Sequence, residues 1–272
     1  MKNTVILSLC VLLLASCAKD KEFKDNCGGK APGGLISLAI TPDDDITMGL
    51  ATVRQIDSLS SQYPVLSEAA YPKAYEHLRR ITNNILNSGK VYYKDKFAWE
   101  VRIIHDDNTL NAFCTPGGYI YVYTGIIKYL DNEMQLAGVM GHEIAHADRR
   151  HSANQMIKAY GVQTLINILT SGTTQQLATL GSQLLQLKFS RNDETEADDY
   201  SVRYLLGTEY DAQGAKYFFQ KIGTSSTPEF LSTHPNPENR VTNIEETYKC
   251  LGSGGNTGTF DARYAEFKTS LP

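Results

Sequence analysis

The segment Gly141-His142-Glu143-Ile144-Ala145-His146 holds two imidazoles four residues apart, with a carboxylate beside the first. On a helix of 3.6 residues per turn, His142 and His146 stack on one face. That spacing lets both rings hold one Zn2+ at about 2.0–2.1 Å. Glu143 is turned by about 100°, so its carboxylate flanks the ion and reaches a water instead of binding the metal. The competing account is a solvated helix face with two incidental histidines. Residues 134–140 just before the motif are largely apolar, which argues for a buried helix. Imidazoles on a buried face need partners, and a metal is a natural one.

Two histidines leave a zinc site one protein ligand short. The acidic run Asp193, Glu194, Glu196, Asp198, Asp199 offers candidates. Glu194 and Asp198 are four apart and share a face, whereas Glu196 points nearly opposite. One face therefore supplies a ligand plus a second carboxylate able to accept an imidazole N–H and fix the ring. A solvated acidic first turn, favoured by the helix dipole, would give the same spacing. His151 follows His146 by five residues, about 140° around a continuous helix, and reads as structural. His77 and His105 have no metal spacing. His234, in the rigid Thr233-His234-Pro235-Asn236-Pro237 segment, can present an imidazole from a loop. It is a candidate oxyanion donor, or a ligand that closes the site at rest.

These side chains need elements to hold them. Pro42 followed by three Asp starts a helix, and a second runs over about residues 73–87. Residues 99–104, 111–114 and 119–123 read as strands, the last two about the turn Pro116-Gly117-Gly118. A helix capped by Asp131 or Asn132 is expected to continue to about residue 160. Further helices are expected near 162–170, 174–188, 191–206, 211–222 and 237–248, with the last dozen residues undecided. The fold class is α+β, predominantly helical, with a small sheet early in the chain.

The chain has 272 residues, 42% hydrophobic and 21% charged, enough for one ordinary domain with extensions and too apolar for disorder. A net charge of −4 argues against nucleic acid as a partner. Residues 5–15 form an apolar run too short to span a bilayer, and it ends in Leu14-Ala15-Ser16-Cys17. This resembles a bacterial lipoprotein signal, which implies cleavage before Cys17 and lipid on that residue, a membrane anchor without a span. The expected division is a signal at 1–16, a lipidated tether at 17–42, a catalytic domain at 43–250 and a tail at 251–272. Export permits disulfides. With Cys10 removed and Cys17 lipidated, Cys27, Cys114 and Cys250 remain. Cys114 lies in an apolar strand, so Cys27–Cys250 is the favoured pair.

Several pieces in order over about residues 65–250 resemble the zinc metallopeptidases that include the CAAX prenyl endopeptidases and the HtpX-like and BepA-like bacterial peptidases. They are Asn111-Ala112-Phe113 through Gly118, the 141–146 motif with Arg150-His151, Ser190-Arg191 with Glu194-x-x-Ala197-Asp198, and Thr233-His234-Pro235 with Arg240. The resemblance implies a zincin-like domain with His142, His146 and Glu194 as ligands of one Zn2+. It also implies Glu143 as general base and Asp198 as the carboxylate behind the ligands. An edge strand would hold the peptide, assigned here to Gly118, Tyr119 and Tyr121. The implied function is peptide-bond hydrolysis in protein quality control of the cell envelope, on unfolded or misfolded substrates. The expected place is the periplasmic face of the outer membrane. The alternative is a non-proteolytic chaperone or assembly lipoprotein for outer-membrane proteins.

Overall fold

The computed structural model describes residues 27–32, 39–222, 230–234 and 239–272. The signal at 1–16, the lipidation site Cys17 and the Pro235–Pro237 segment lie outside the described residues. Thr41 caps α1 (Pro42–Ser58), its hydroxyl accepting from the Asp44 amide while the Asp44 carboxylate accepts from the Thr41 amide. α2 (Pro72–Leu86) follows, burying Leu78, Ile81 and Ile85 on one face. Three strands come next: β1 (Glu100–Ile104), β2 (Ala112–Thr115) and β3 (Tyr119–Tyr123). α3 (Thr124–Tyr129) leads into α4 (Glu133–Asp148), α5 (His151–Tyr160), α6 (Val162–Ser171) and α7 (Thr174–Leu185). The chain continues through α8 (Arg191–Leu205), α9 (Gly214–Ile222), α10 (Phe230–Thr233), α11 (Arg240–Cys250) and α12 (Asp261–Thr269).

The sheet order is β1-β3-β2, with β1 parallel and β2 antiparallel to β3. This corrects one expectation. β3 carries Tyr119 and Tyr121 and is the central strand, paired on both sides, so its backbone cannot accept an added peptide. Tyr121 is fully buried, Tyr119 and Gly118 nearly so. Alternation and a following zinc helix look the same for a central and an edge strand, because pairing partners come from distant sequence. Among the described residues the edge strands are β1 and β2: residues 64–66 bond the outer side of β1, with the Leu66 amide donating to the Ile103 carbonyl and the His105 amide to the Pro64 carbonyl, both at 2.8 Å, while β2 packs on α4.

The predicted helix over 132–160 is two helices. Asn132 caps α4 as expected, its side-chain oxygen accepting from the Gln135 amide. The chain then breaks at Arg150, which adopts a left-handed conformation (φ 62°). Such a residue costs about 1–3 kcal/mol unless its surroundings hold it. Here they do: the buried Arg150 donates from Nε to Asp45 at 2.5 Å and from Nη2 to the Ile40 and Thr41 carbonyls at 2.7 and 3.1 Å. The partner is about a hundred residues earlier, so local propensity favours the unbroken helix.

α4 is the core element. Every residue from Glu133 to Asp148 is buried, between α8 on one side and α9 on another. Close approach explains two glycines: a Cβ on Gly138 would lie 2.0 Å from the Ala215 amide nitrogen, and one on Gly141 2.8 Å from Ser201 Oγ. At the start of α4, buried Glu133 accepts from Arg80, Arg263 and the Tyr210 hydroxyl. At its end, buried Asp148 accepts from the Tyr92 and Tyr93 amides and the Tyr204 hydroxyl. Both ends of the helix are thereby fixed.

The packed unit extends beyond the boundaries drawn from sequence. Tyr264 and Phe267 of α12 join the main core, so residues 251–272 are not a tail. At the other end, Cys27 and Cys250 form a disulfide, and Cys114 is a buried free thiol. Arg203 donates to the Cys27 carbonyl, and the Tyr200 hydroxyl bonds both the amide and the carbonyl of Lys30. Part of the expected tether is thus fastened to α8. No helix among the described residues is long and apolar enough to cross a membrane.

Candidate metal centre

α4 and α8 face each other, and the side chains between them meet in one buried cluster. His142 and His146 come from α4, and Glu194 and Asp198 from α8. The register of α8 is set by Ser190, whose hydroxyl accepts from the Asp193 amide in a reciprocal cap. His142 Nε2 and His146 Nε2 are 3.0 Å apart. Glu194 Oε2 lies 3.4 Å from the first and Oε1 3.5 Å from the second. His234, next after α10, adds Nδ1 at 3.4 Å from His142 Nε2 and 3.1 Å from Glu194 Oε1. All four residues are buried and each offers one ligand atom within 4.8 Å of the others.

The donor set fits a tetrahedral divalent ion. Ligand atoms at about 2.0–2.1 Å from such an ion stand about 3.3–3.4 Å apart, close to the observed separations. Buried Glu194 and Asp198 both lie against the buried guanidinium of Arg240, so the carboxylate-rich cluster is paired with fixed positive charge on one side.

Arg240 carries the site's outer layer. Its Nε and Nη2 donate to Asp198 at 2.7 and 2.6 Å, a two-pronged pair. Its Nη1 sits 3.1 Å from Glu194 Oε2, a charge contact without hydrogen-bond alignment. The guanidinium also stacks over Phe219 at 3.8 Å. Asp198 Oδ1 lies 2.9 Å from His142 Nδ1, so the carboxylate fixes that ring from behind. The sequence reading gave Arg240 no role. A single Arg at the start of a polar helix carries no signal until that helix is packed on α8.

The carboxylates are pushed apart. Burial would raise Glu194, but the imidazoles of His234, His142 and His146 outweigh it and hold it well below the usual range. Asp198 is likewise held down, against burial, by Arg240 and His142. Glu143 is raised by burial, only partly offset by His234 and His142. Burial and Arg240 oppose the charged form of His142, yet its bonds to Asp198 and Glu194 lift it to about 9. The surroundings thus hold Glu194 and Asp198 down and push Glu143 up. Both Glu143 oxygens are buried without a hydrogen-bond partner, and Oε1 lies 3.7 Å from His234 Nε2.

Neither Glu196 nor His151 offers an atom to the four-residue cluster, but neither is idle. Glu196 accepts from Arg149 Nε at 3.0 Å and lies 3.2 Å from His151 Nε2. His151 Nδ1 is 2.9 Å from His146 Nδ1. The helix break at Arg150 creates this contact, and a continuous helix would have turned the ring away. His77 stacks on Phe267, and His105 is exposed.

A cavity of about 260 Å3 opens beside the cluster. His234, Ser152 and Phe189 line it on the metal side, and Asn111 with Phe113, Cys114 and Thr115 of β2 on the other. The side-chain oxygen of Asn111 is buried there with no partner. His234 of the cluster and the Phe113–Thr115 stretch of β2 thus border one cleft.

Known proteins share this sequence pattern. Residues 72–248 match the description Peptidase family M48. The chain is 33% identical over 147 residues to the mitochondrial metalloendopeptidase OMA1 of Arabidopsis thaliana, covering 53% of this chain and 30% of that one. It is 27% identical over 234 residues to the beta-barrel assembly-enhancing protease of Yersinia pestis, covering 78% and 45%. It is 33% identical over 157 residues to the beta-barrel assembly-enhancing protease of Escherichia coli, covering 51% and 32%. The chain spans less than half the length of these relatives. The matched region contains all of the cluster from His142 to Arg240, and the chain belongs to peptidase family M48.

Proposed function

We propose that the protein is a zinc endopeptidase of the cell envelope, anchored by lipid on Cys17, that hydrolyses unfolded or misfolded envelope proteins. The observation that carries this reading is the buried tetrahedral donor set beside a carboxylate with no partner. A scaffold that only holds client proteins has no use for an unsatisfied buried Glu143. The envelope location rests on the signal-like N-terminus and on relatives described as beta-barrel assembly-enhancing proteases.

His142, His146 and Glu194 hold the ion, and Asp198 with Arg240 orients His142 and Glu194. Zinc, when bound, supplies a Lewis acid that polarises a carbonyl and lowers the pKa of water toward about 7. Glu143 takes the proton of the attacking water and returns it to the leaving nitrogen. The free side of β2 receives the substrate as an extended strand, through main-chain hydrogen bonds that do not read side chains. Such binding suits unfolded clients of varied sequence. Purified protein is expected to contain one zinc per chain and to cleave an unfolded protein such as casein. A chelator should abolish cleavage and added zinc should restore it; chelator-resistant cleavage would refute the assignment.

With an ion bound, His234, whose Nδ1 lies 3.4 Å from His142 Nε2 and 3.1 Å from Glu194 Oε1, would take the position that water and substrate need. In that arrangement the site would be closed, and His234 would leave it before hydrolysis. Displaced, its imidazole would serve as the donor to the developing oxyanion. His234→Ala keeps three ligands, so zinc content should persist while casein hydrolysis rises. A fall in rate with zinc retained would make the oxyanion role dominant over the gating one.

A further inference from the structure

We propose that His151, held by Glu196, is the positioning residue that keeps the side-chain proton of His146 on Nδ1 and so presents a bare Nε2 to the ion. This rests on the zinc reading above and concerns residues that reading leaves without a task.

His146 Nδ1 and His151 Nδ1 lie 2.9 Å apart, and when each ring carries one proton the pair has two possible arrangements. One nitrogen must donate and the other accept. If His151 donates, its Nε2 is a bare acceptor 3.2 Å from the Glu196 carboxylate, and two acceptors face each other. His146 would then carry its proton on Nε2, aimed at His142 Nε2 3.0 Å away. If His146 donates, every group is satisfied. His151 accepts at Nδ1, donates from Nε2 to Glu196, and His146 Nε2 offers its lone pair to the cluster. The carboxylate of Glu196 thus selects the tautomer two rings away. Arg149 holds that carboxylate from its other oxygen, at 3.0 Å, and is itself stacked 4.0 Å over the Tyr200 ring. Phe189 stacks on the face of His146 with centroids 3.9 Å apart, so packing sets the plane of the ring and His151 sets its edge.

The two metal histidines are therefore oriented by different devices. His142 is backed directly by Asp198, and His146 is backed by a second imidazole and then by a carboxylate. The second device depends on the backbone turn at Arg150. That residue's left-handed conformation, clamped by Asp45, brings His151 to the Nδ1 edge of His146. It gives a functional reason for a strained position otherwise unexplained by helix packing.

The test uses the zinc-loaded protein and variants His151→Phe, His151→Asn and Glu196→Ala. Long-range 1H–15N spectra, taken above the ordinary imidazole range of pH, should show His146 protonated on Nδ1 and His151 on Nε2. Zinc affinity, read by competition with a chromogenic chelator, should weaken about 10–100-fold in His151→Phe. His151→Asn, whose side-chain oxygen can accept from His146 Nδ1, should recover most of the loss, which a purely space-filling role would not predict. Glu196→Ala should let His151 populate the other tautomer. A wild-type His151 protonated on Nδ1, or unchanged zinc affinity in a folded His151→Phe, overturns the proposal. If His151→Phe does not fold, the wild-type spectrum alone decides. A wild type that binds no zinc defeats the metal reading instead, and the spectrum still reports the tautomer.

Discussion

Glu143→Gln should leave zinc at one per chain and lower the hydrolysis of casein by about 10²–10⁴-fold, the usual worth of a positioned general base. The argument is geometric. Glu143 is buried on α4 beside the donor set, yet neither of its oxygens has a hydrogen-bond partner and neither belongs to the four converging ligand atoms. Removing its charge therefore costs no ligand. Gln keeps the shape, so the buried helix need not repack, and the amide cannot take a proton from water. Zinc analysis and turnover measured on the same preparation separate the two effects. A variant that cleaves as fast as the parent would remove Glu143 from the mechanism, and one that loses zinc would make it a ligand.

Glu194→Ala should empty the site. Glu194 is the one carboxylate among the four donors, with one oxygen facing each of the two α4 imidazoles. Its loss takes away a ligand and leaves Arg240 facing the histidines with half its counter-charge gone. Zinc affinity should fall well beyond the 10–100-fold expected for an outer residue such as Glu196. Stability should fall as well, since stripping one partner from a buried charge network costs about 3–5 kcal/mol. Glu194→Gln, isosteric and neutral, distinguishes the causes: zinc should still be lost while more of the fold's stability survives. Equal zinc affinity in Glu194→Ala and Glu196→Ala would refute the assignment of the third ligand.

The chemistry was more legible in the sequence than its surroundings were. His142, Glu143 and His146 sit on one helix, and helical spacing alone fixes their relation. Glu194 and Asp198 share a face for the same reason, though choosing between them required the family resemblance. The edge strand was misassigned because strand order is a long-range property: β3 looks like an edge until β1 and β2 are paired on either side of it. The break in the predicted helix over 132–160 escaped because its cause, the Asp45–Arg150 pair, spans the chain. The role of Arg240, and the packing of α12, escaped because both lie in what these residues pack against.

The sequence by itself determined the local geometry: a helix presenting two imidazoles and a carboxylate, a second helix presenting two acids, and a histidine near a proline-rich segment. These follow from rise and rotation per residue, which are the same in every helix. Only the tertiary structure decided that His234 joins the two α4 imidazoles and Glu194, that β3 is the central strand, and that His151 stands behind His146. Each of those depends on two segments distant in the chain meeting at a few ångströms, and that meeting is set by burial of the whole core.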